Sequence, residues 1–268
     1  MTNRLDTTFA RLKDANEGAL VTFLSAGDPT VEGTPALVAA LANAGADIVE
    51  LGIPYSDPLA DGPSIQASSQ RALDRGLTPE TVLGMVRDIR GLTQVPVVLM
   101  TSYNLALRYG LERFAKAFTE AGADGAILTD LPPEEAGPWK AAADGAGLAT
   151  IFLVAPTSTP ARIALIAHNT TGFVYCVSRT GVTGARTELP PELKELLDRI
   201  RAATDKPICV GFGVSTPAHV RTVTETADGA VIGSALVDFL HHTREDPAQS
   251  ETLAELVRGW KAATKASL

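Results

Sequence analysis

The sequence predicts an α/β protein, a (β/α)8 TIM barrel with an extra N-terminal helix. Three observations lead there. Eight short β-rich runs recur at intervals of roughly thirty residues. Amphipathic, helix-period segments separate them, and strand alternating with helix means a parallel sheet. The length of 268 residues fits one such barrel, which typically takes ~250. The alternative is an open doubly wound sheet. It would prefer a glycine-rich fingerprint after the first strand, and "LSAGDPT" is not GxGxxG. No linker or low-complexity tract interrupts the chain, so residues 1–268 read as one domain.

Residues 4–16 read as a helix placed to cap the barrel bottom. The strand runs follow: "ALVTFLSAG" at 19–27, "ADIVELGIP" at 46–54, "VPVVLMTSY" at 95–103 and "DGAILTD" at 124–130. The second four are "ATIFLVAP" at 149–156, "GFVYCVS" at 172–178, "PICVGFGV" at 207–214 and "DGAVIGSALV" at 228–237. Helix-period segments lie at 34–45, 78–90, 110–122, 132–147, 159–169, 190–204 and 216–227. Thr159-Pro160 and Thr216-Pro217 pair an N-cap with a proline at the first helical position. Gly45, Gly122 and Gly147 supply left-handed C-caps. Two connections are long, 54–77 and 179–191. Residues 54–65 and 179–191 are expected to be poorly ordered or open in the free chain and to order when substrate and a partner bind.

Composition bounds the function. Hydrophobic residues make up 45% of the chain, enough for a sizeable core. A net charge of −8 argues against a nucleic-acid scaffold. No apolar run reaches the ~18 residues of a membrane span. The first residues lack the apolar core of a secretory signal, so a cytoplasmic location is expected. Cys176 and Cys209 lie inside apolar strands and read as reduced core thiols; their spacing matches no zinc motif.

In such barrels the active site lies at the C-terminal ends of the strands. The four histidines, His168, His219, His241 and His242, all fall in helical segments, so no strand-end cluster is expected to hold a metal. None of the seven lysines falls at a strand end, which argues against Schiff-base chemistry. Carboxylates, hydroxyls and glycines remain. Glu50 shares a strand face with Ile48 and Gly52, opposite Val49 and Leu51, and so should point into the barrel. Apolar neighbours raise its pKa and make it a general acid/base candidate; the alternative is a buried Glu with a structural partner. Asp61 sits in "DPLADGP". On composition alone it reads as a turn residue bonding its own backbone. "GFG" at 211–213 and "GS" at 233–234 end the seventh and eighth runs and read as a phosphate cradle, or else as tight strand–helix packing. The glycines of "GVTG" at 181–184 suit a further donor on a lid, or simply a loop.

The motifs "VELGIPYSDPLADGPSIQ" at 49–66, "LTDLPPEE" at 128–135, "SRTGVTG" at 178–184, "VGFGVS" at 210–215 and "IGSALV" at 232–237 together resemble the tryptophan synthase alpha subunit family over essentially the full length. The resemblance implies a lyase that cleaves indole-3-glycerol phosphate. It implies an αββα complex with a beta subunit that carries pyridoxal phosphate, and no cofactor in this chain. By motif, Glu50 resembles the catalytic acid/base, Asp61 the carboxylate that holds the indole N–H, and Tyr175 a residue of the catalytic site. Phe23, Met100, Ile127, Leu153 and Phe212 would wall the substrate's ring, and Thr183 would also bind substrate. Gly184, Gly213, Gly233 and Ser234 resemble the phosphate-binding set, and Asp57 and Asp130 the surface facing the beta subunit. One departure stands out: Ser102, followed by Tyr103, occupies a position where many members carry Tyr. Two alternatives stay open, another phosphate-sugar barrel such as an isomerase and a non-enzymatic regulatory subunit.

Overall fold

The computed structural model describes residues 3–58, 61–178, 192–211, 213–243 and 246–265. Its strands are β1 (Ala19–Ser25), β2 (Ile48–Gly52), β3 (Val97–Thr101), β4 (Gly125–Leu128), β5 (Ala149–Ile151), β6 (Leu153–Val154), β7 (Val174–Val177), β8 (Ile208–Gly211) and β9 (Gly229–Ile232). All pair in parallel, in the order β5-β4-β3-β2-β1-β9-β8-β7-β6. β5 and β6 are one stave parted at Phe152. β5 pairs with β4, β6 pairs with β7, and the Tyr175 N–H donates to the Phe152 carbonyl at 3.1 Å. The sheet thus runs round a barrel, with the stave count that the sequence predicts.

Two apolar layers follow from the two-residue period of a strand. Val21, Ile48, Val98, Ile127, Ile151, Tyr175 and Val231 fill the barrel. Leu20, Val49, Leu99, Ala126, Val174 and Ile232 face outward to the helices. Cys209 belongs to the first layer and Cys176 to the second, and both are free thiols.

The helices are α1 (Arg4–Asp14), α2 (Thr34–Ala44), α3 (Pro63–Asp74), α4 (Pro79–Leu92), α5 (Tyr103–Tyr109), α6 (Leu111–Ala121) and α7 (Gly137–Ala146). After them come α8 (Pro160–Asn169), α9 (Leu193–Arg201), α10 (Pro217–Thr224), α11 (Ser234–His242) and α12 (Glu251–Ala262). α1 plugs the barrel bottom: Leu5 and Leu12 join the inner layer. The Thr159 and Thr216 side chains accept from the N–H groups of Arg162 and His219, and Gly45, Gly122 and Gly147 close their helices in the left-handed region.

Three differences from the sequence reading bear on the site. The long connection after β2 contains a helix, α3, whose buried positions Ile65, Ser68, Ser69 and Ala72 keep helical spacing. Two of the four are serines, which hides the apolar stripe. The third strand run stops at Thr101, because Ser102 caps α5 by accepting from the Leu105 N–H. The eighth run stops at Ile232, and "SALV" opens α11.

The bottom of the barrel is tied by three aspartates that precede strands. Asp47 Oδ2 accepts from the Leu20 N–H at 2.9 Å, Asp124 Oδ2 from Val97 at 2.8 Å and Asp228 Oδ2 from Ile208 at 2.8 Å. Each is also paired with basic side chains: Arg11 and Lys261, Arg4 and Arg90, and Arg201. Charge is neutralised there, away from the strand ends that carry the carboxyl groups described next.

Candidate active site

Glu50 lies at the centre of β2, in register with Phe23 of β1 and Val98 of β3. Its relative exposure is 0%, and neither carboxyl oxygen has a hydrogen-bond partner among the described residues. Burial in apolar surroundings pushes its pKa from 4.5 up to about 8. A buried polar group with no partner costs stability, which points to a chemical use.

Asp61 ends the loop after β2, just before Gly62 and Pro63 start α3. Its N–H donates to the Pro58 carbonyl at 3.0 Å, and the Gln66 side-chain amide holds the Asp61 carbonyl at 2.7 Å. Burial alone pushes its carboxyl pKa from 3.8 up to about 6. A surface turn aspartate would not be desolvated in this way. Tyr175, on β7, lies within the electrostatic reach of both carboxylates, and burial first, then those charges, raises its phenol pKa well above 10.0. A Cβ on Gly211 would stand 2.2 Å from the Tyr175 hydroxyl oxygen, so the ring position requires that glycine. Gly52 does the same for Phe23, whose Cζ lies 2.7 Å from where a Cβ would be.

One pocket collects these groups. It is lined by Phe23, Glu50, Asp61, Ile65, Met100, Thr129, Leu153, Tyr175, Gly213, Val214, Val231, Gly233 and Ser234. Its apolar wall comes from Phe23, Met100 and Leu153, and its polar groups are few and convergent, as in small-molecule sites. At one end Gly213 takes a φ of +88°, a conformation natural to glycine. Beside it Gly233 and Ser234 open α11, whose first N–H groups have no partner within the helix.

Ile127 is placed differently. It is fully buried in the barrel interior and does not line the pocket. Asp57 and Asp130 are both exposed on the same rim. The Asp57 carboxylate accepts from the Ser56 hydroxyl and Asp130 from the Tyr103 N–H at the start of α5. Thr183, Gly184 and Phe212 lie outside the described residues, as does the connection 179–191. Ile65, Val214 and Val231 line the pocket without having been singled out by sequence. Ile65 was hidden with the rest of α3, and Val231 precedes the glycine of its strand by two residues, on the same face. The Ser102 position is occupied by a helix cap, and Met100 and Thr129 form the wall there.

Comparison with known proteins agrees with this geometry. The family model of the tryptophan synthase alpha chain matches residues 9–265. A tryptophan synthase alpha chain from Geotalea uraniireducens is 48% identical over 264 residues, 98% of each chain. One from Geobacter sulfurreducens is 53% identical over 235 residues, 88% of this chain and 89% of the other. Among solved structures, Mycobacterium tuberculosis tryptophan synthase superposes with a TM-score of 0.90 at 38% identity and full coverage of both chains. The alpha subunit from Legionella pneumophila gives 0.90 at 38% identity, covering 98% of this chain and 99% of that one. Carboxyl groups, apolar wall and glycine end thus sit on a barrel similar to these proteins in sequence and in structure, and the chain belongs to the tryptophan synthase alpha chain family.

Proposed function

We propose that this chain is a lyase that cleaves indole-3-glycerol phosphate to indole and glyceraldehyde 3-phosphate. The observation that carries the reading is the pairing, in one apolar pocket, of Glu50, fully buried and without a hydrogen-bond partner among the described residues, with a second desolvated carboxyl group, Asp61.

The reaction is a retro-aldol cleavage. With a pKa of about 8, Glu50 starts protonated at neutral pH and delivers its proton to C3 of the indole ring. Positive charge then spreads to the ring nitrogen, whose N–H becomes acidic. Asp61, ionised at neutral pH with a pKa of about 6, accepts that N–H and stabilises the charge. Glu50, now a carboxylate, takes the proton of the hydroxyl on the carbon next to the ring. The O–H electron pair forms the aldehyde C=O, and the C–C bond breaks. Its electron pair returns to the ring and restores aromatic indole. One proton is given and one taken, so no net acid or base is consumed.

Phe23, Met100 and Leu153 wall the ring, and Tyr175 closes the site beside Glu50. Gly213, Gly233 and Ser234 hold the phosphate through backbone N–H groups at the start of α11. Asp57 and Asp130 belong to the surface that meets a beta subunit in an αββα complex. Pyridoxal phosphate is needed only in that partner, for the onward use of indole, and the pair works in the cytoplasm.

The test is incubation with indole-3-glycerol phosphate, with and without a beta subunit, while indole release is followed. The wild-type chain should release indole, and Glu50→Gln should lower the rate by ~10²–10⁴ while still binding substrate. No indole from the wild type overturns the activity. Turnover of Glu50→Gln within about threefold of wild type overturns the role of Glu50.

A further inference from the structure

The loop that carries Asp61 is fastened at both ends. At its root, the Ile53 N–H donates to the Met100 carbonyl at 2.8 Å, and the Ile53 carbonyl accepts from Thr101 Oγ1 at 3.2 Å. At its far end, Gln66 Nε2 holds the carbonyls of Pro58 and Asp61 at 3.3 and 2.7 Å. Between these points stands Tyr55. Its hydroxyl lies 3.3 Å from Thr129 Oγ1 on the end of β4, 74 residues away in sequence.

Thr129 is itself fixed. Its N–H donates to the Thr101 carbonyl at 3.0 Å, and its hydroxyl donates to the same carbonyl at 3.4 Å. That leaves the Thr129 oxygen as an acceptor for the Tyr55 O–H. Burial, with the nearby Asp61 and Asp130 charges, raises the Tyr55 pKa, so the phenol keeps its proton and is the donor. Thr129 also lines the pocket together with Asp61. The hydrogen bond therefore joins the loop bearing one carboxylate to the wall that the ring would meet. Pro54 and Pro58 fix their φ angles on either side of Tyr55, and Pro58 is tied to Asp61 directly, its carbonyl accepting from the Asp61 N–H at 3.0 Å and sharing the Gln66 amide with the Asp61 carbonyl, so a pin at position 55 bears on position 61.

From this geometry we infer that Tyr55 is a positioning residue, whose hydrogen bond to Thr129 sets where the Asp61 carboxylate stands in the pocket. The inference rests on the reading of Asp61 as acceptor of the indole N–H. Tyr55 touches no substrate in this scheme. Its effect reaches the reaction through Asp61, at the moment when charge develops on the ring nitrogen.

The expected signature is a split between kcat and KM. An interaction felt mainly in the transition state lowers kcat and leaves KM in place. Small misplacements of a charged group cost heavily in rate, so Tyr55→Phe should lower kcat about tenfold with KM within about twofold of wild type. Thr129→Val, which also gives up the longer bond to the Thr101 carbonyl, should give the same split, and the double variant should be no slower than the worse single one, because both remove the Tyr55–Thr129 bond. Thr129→Ser keeps the hydroxyl and should restore kcat. The inference fails if Tyr55→Phe retains kcat within about twofold, if the two losses multiply in the double variant, or if Thr129→Ser behaves like Thr129→Val. The wild-type assay separates this from the activity itself: a wild-type chain that releases no indole overturns the proposed function, whereas an active wild type with an equally active Tyr55→Phe overturns only the role of Tyr55.

Discussion

Glu50 and Asp61 are chemically alike, yet their surroundings give them opposite charge states at neutral pH. Glu50 is sealed inside the barrel and its pKa rises to about 8; Asp61 stands at the rim and rises only to about 6. The proposed reaction needs an acid at the first position and an anion at the second. The plot of kcat/KM against pH should therefore be a bell with its acid limb near 6 and its alkaline limb near 8. The acid limb reports ionisation of Asp61, and the alkaline limb reports loss of the Glu50 proton. Rates that stay level from pH 5 to pH 9 would count against this assignment of roles. The inward aim of Glu50 was legible from the two-residue period of its strand. The burial of Asp61 was not, because it depends on where α3 starts. A local reading of "DPLADGP" sees a turn, and only the motif as a whole points to a site. The partnership of Tyr55 with Thr129 leaves no local trace, since nothing in either segment specifies the other.

At the scale of the element, α11 is the piece on which the proposed phosphate recognition depends. The glycine turn was readable from "IGS", but that the strand ends there and a helix starts at once was not. "ALV" suits either structure, and the unbroken apolar run masks the boundary. α3 was hidden for the opposite reason, since small polar residues fill half of its buried face. The start of α11 offers a clean test of the phosphate assignment. Among the described residues, a Cβ on Gly233 would meet nothing closer than Ile65 and Phe23 atoms at 3.9 Å, which leaves room there for a methyl group when no ligand is bound. Gly233→Ala should thus leave thermal stability near that of wild type. It should weaken binding of glycerol phosphate about tenfold, since the methyl stands where phosphate oxygens approach the N–H groups. Binding of indole alone should change little. Calorimetric titration with each ligand distinguishes the cases, and an equal loss for both would mean that the pocket, not the phosphate end, had been disturbed.

For the molecule as a whole, the buried Glu50 is a liability that the proposed proton transfer would account for, and its size depends on pH. In the unfolded chain its pKa returns to about 4.5, while in the folded barrel it stands at about 8. Between these values the folded state holds a proton that the unfolded state has released. Stability therefore falls as pH rises across that window, and each unit of displacement corresponds to about 1.4 kcal/mol. Below about pH 4.5 both states hold the proton and this contribution to stability is fully present. Above about pH 8 it is lost, because ionising Glu50 inside the barrel must then be paid for by the rest of the fold. Asp61 adds a smaller loss of the same sign, through a window from about 3.8 to about 6. Glu50→Gln cannot ionise and removes the larger contribution. Its amide is still buried without a partner among the described residues, so at pH 5 the variant should be no more stable than wild type. The difference should then move in the variant's favour as pH is raised to 9. Urea unfolding of both proteins across that range, with a shared m-value as the check that the same transition is observed, measures the effect directly. Curves that run parallel from pH 5 to pH 9 would show that Glu50 ionises in the barrel as it does in water, and both the stability argument and the proton-donor role would fall with that result.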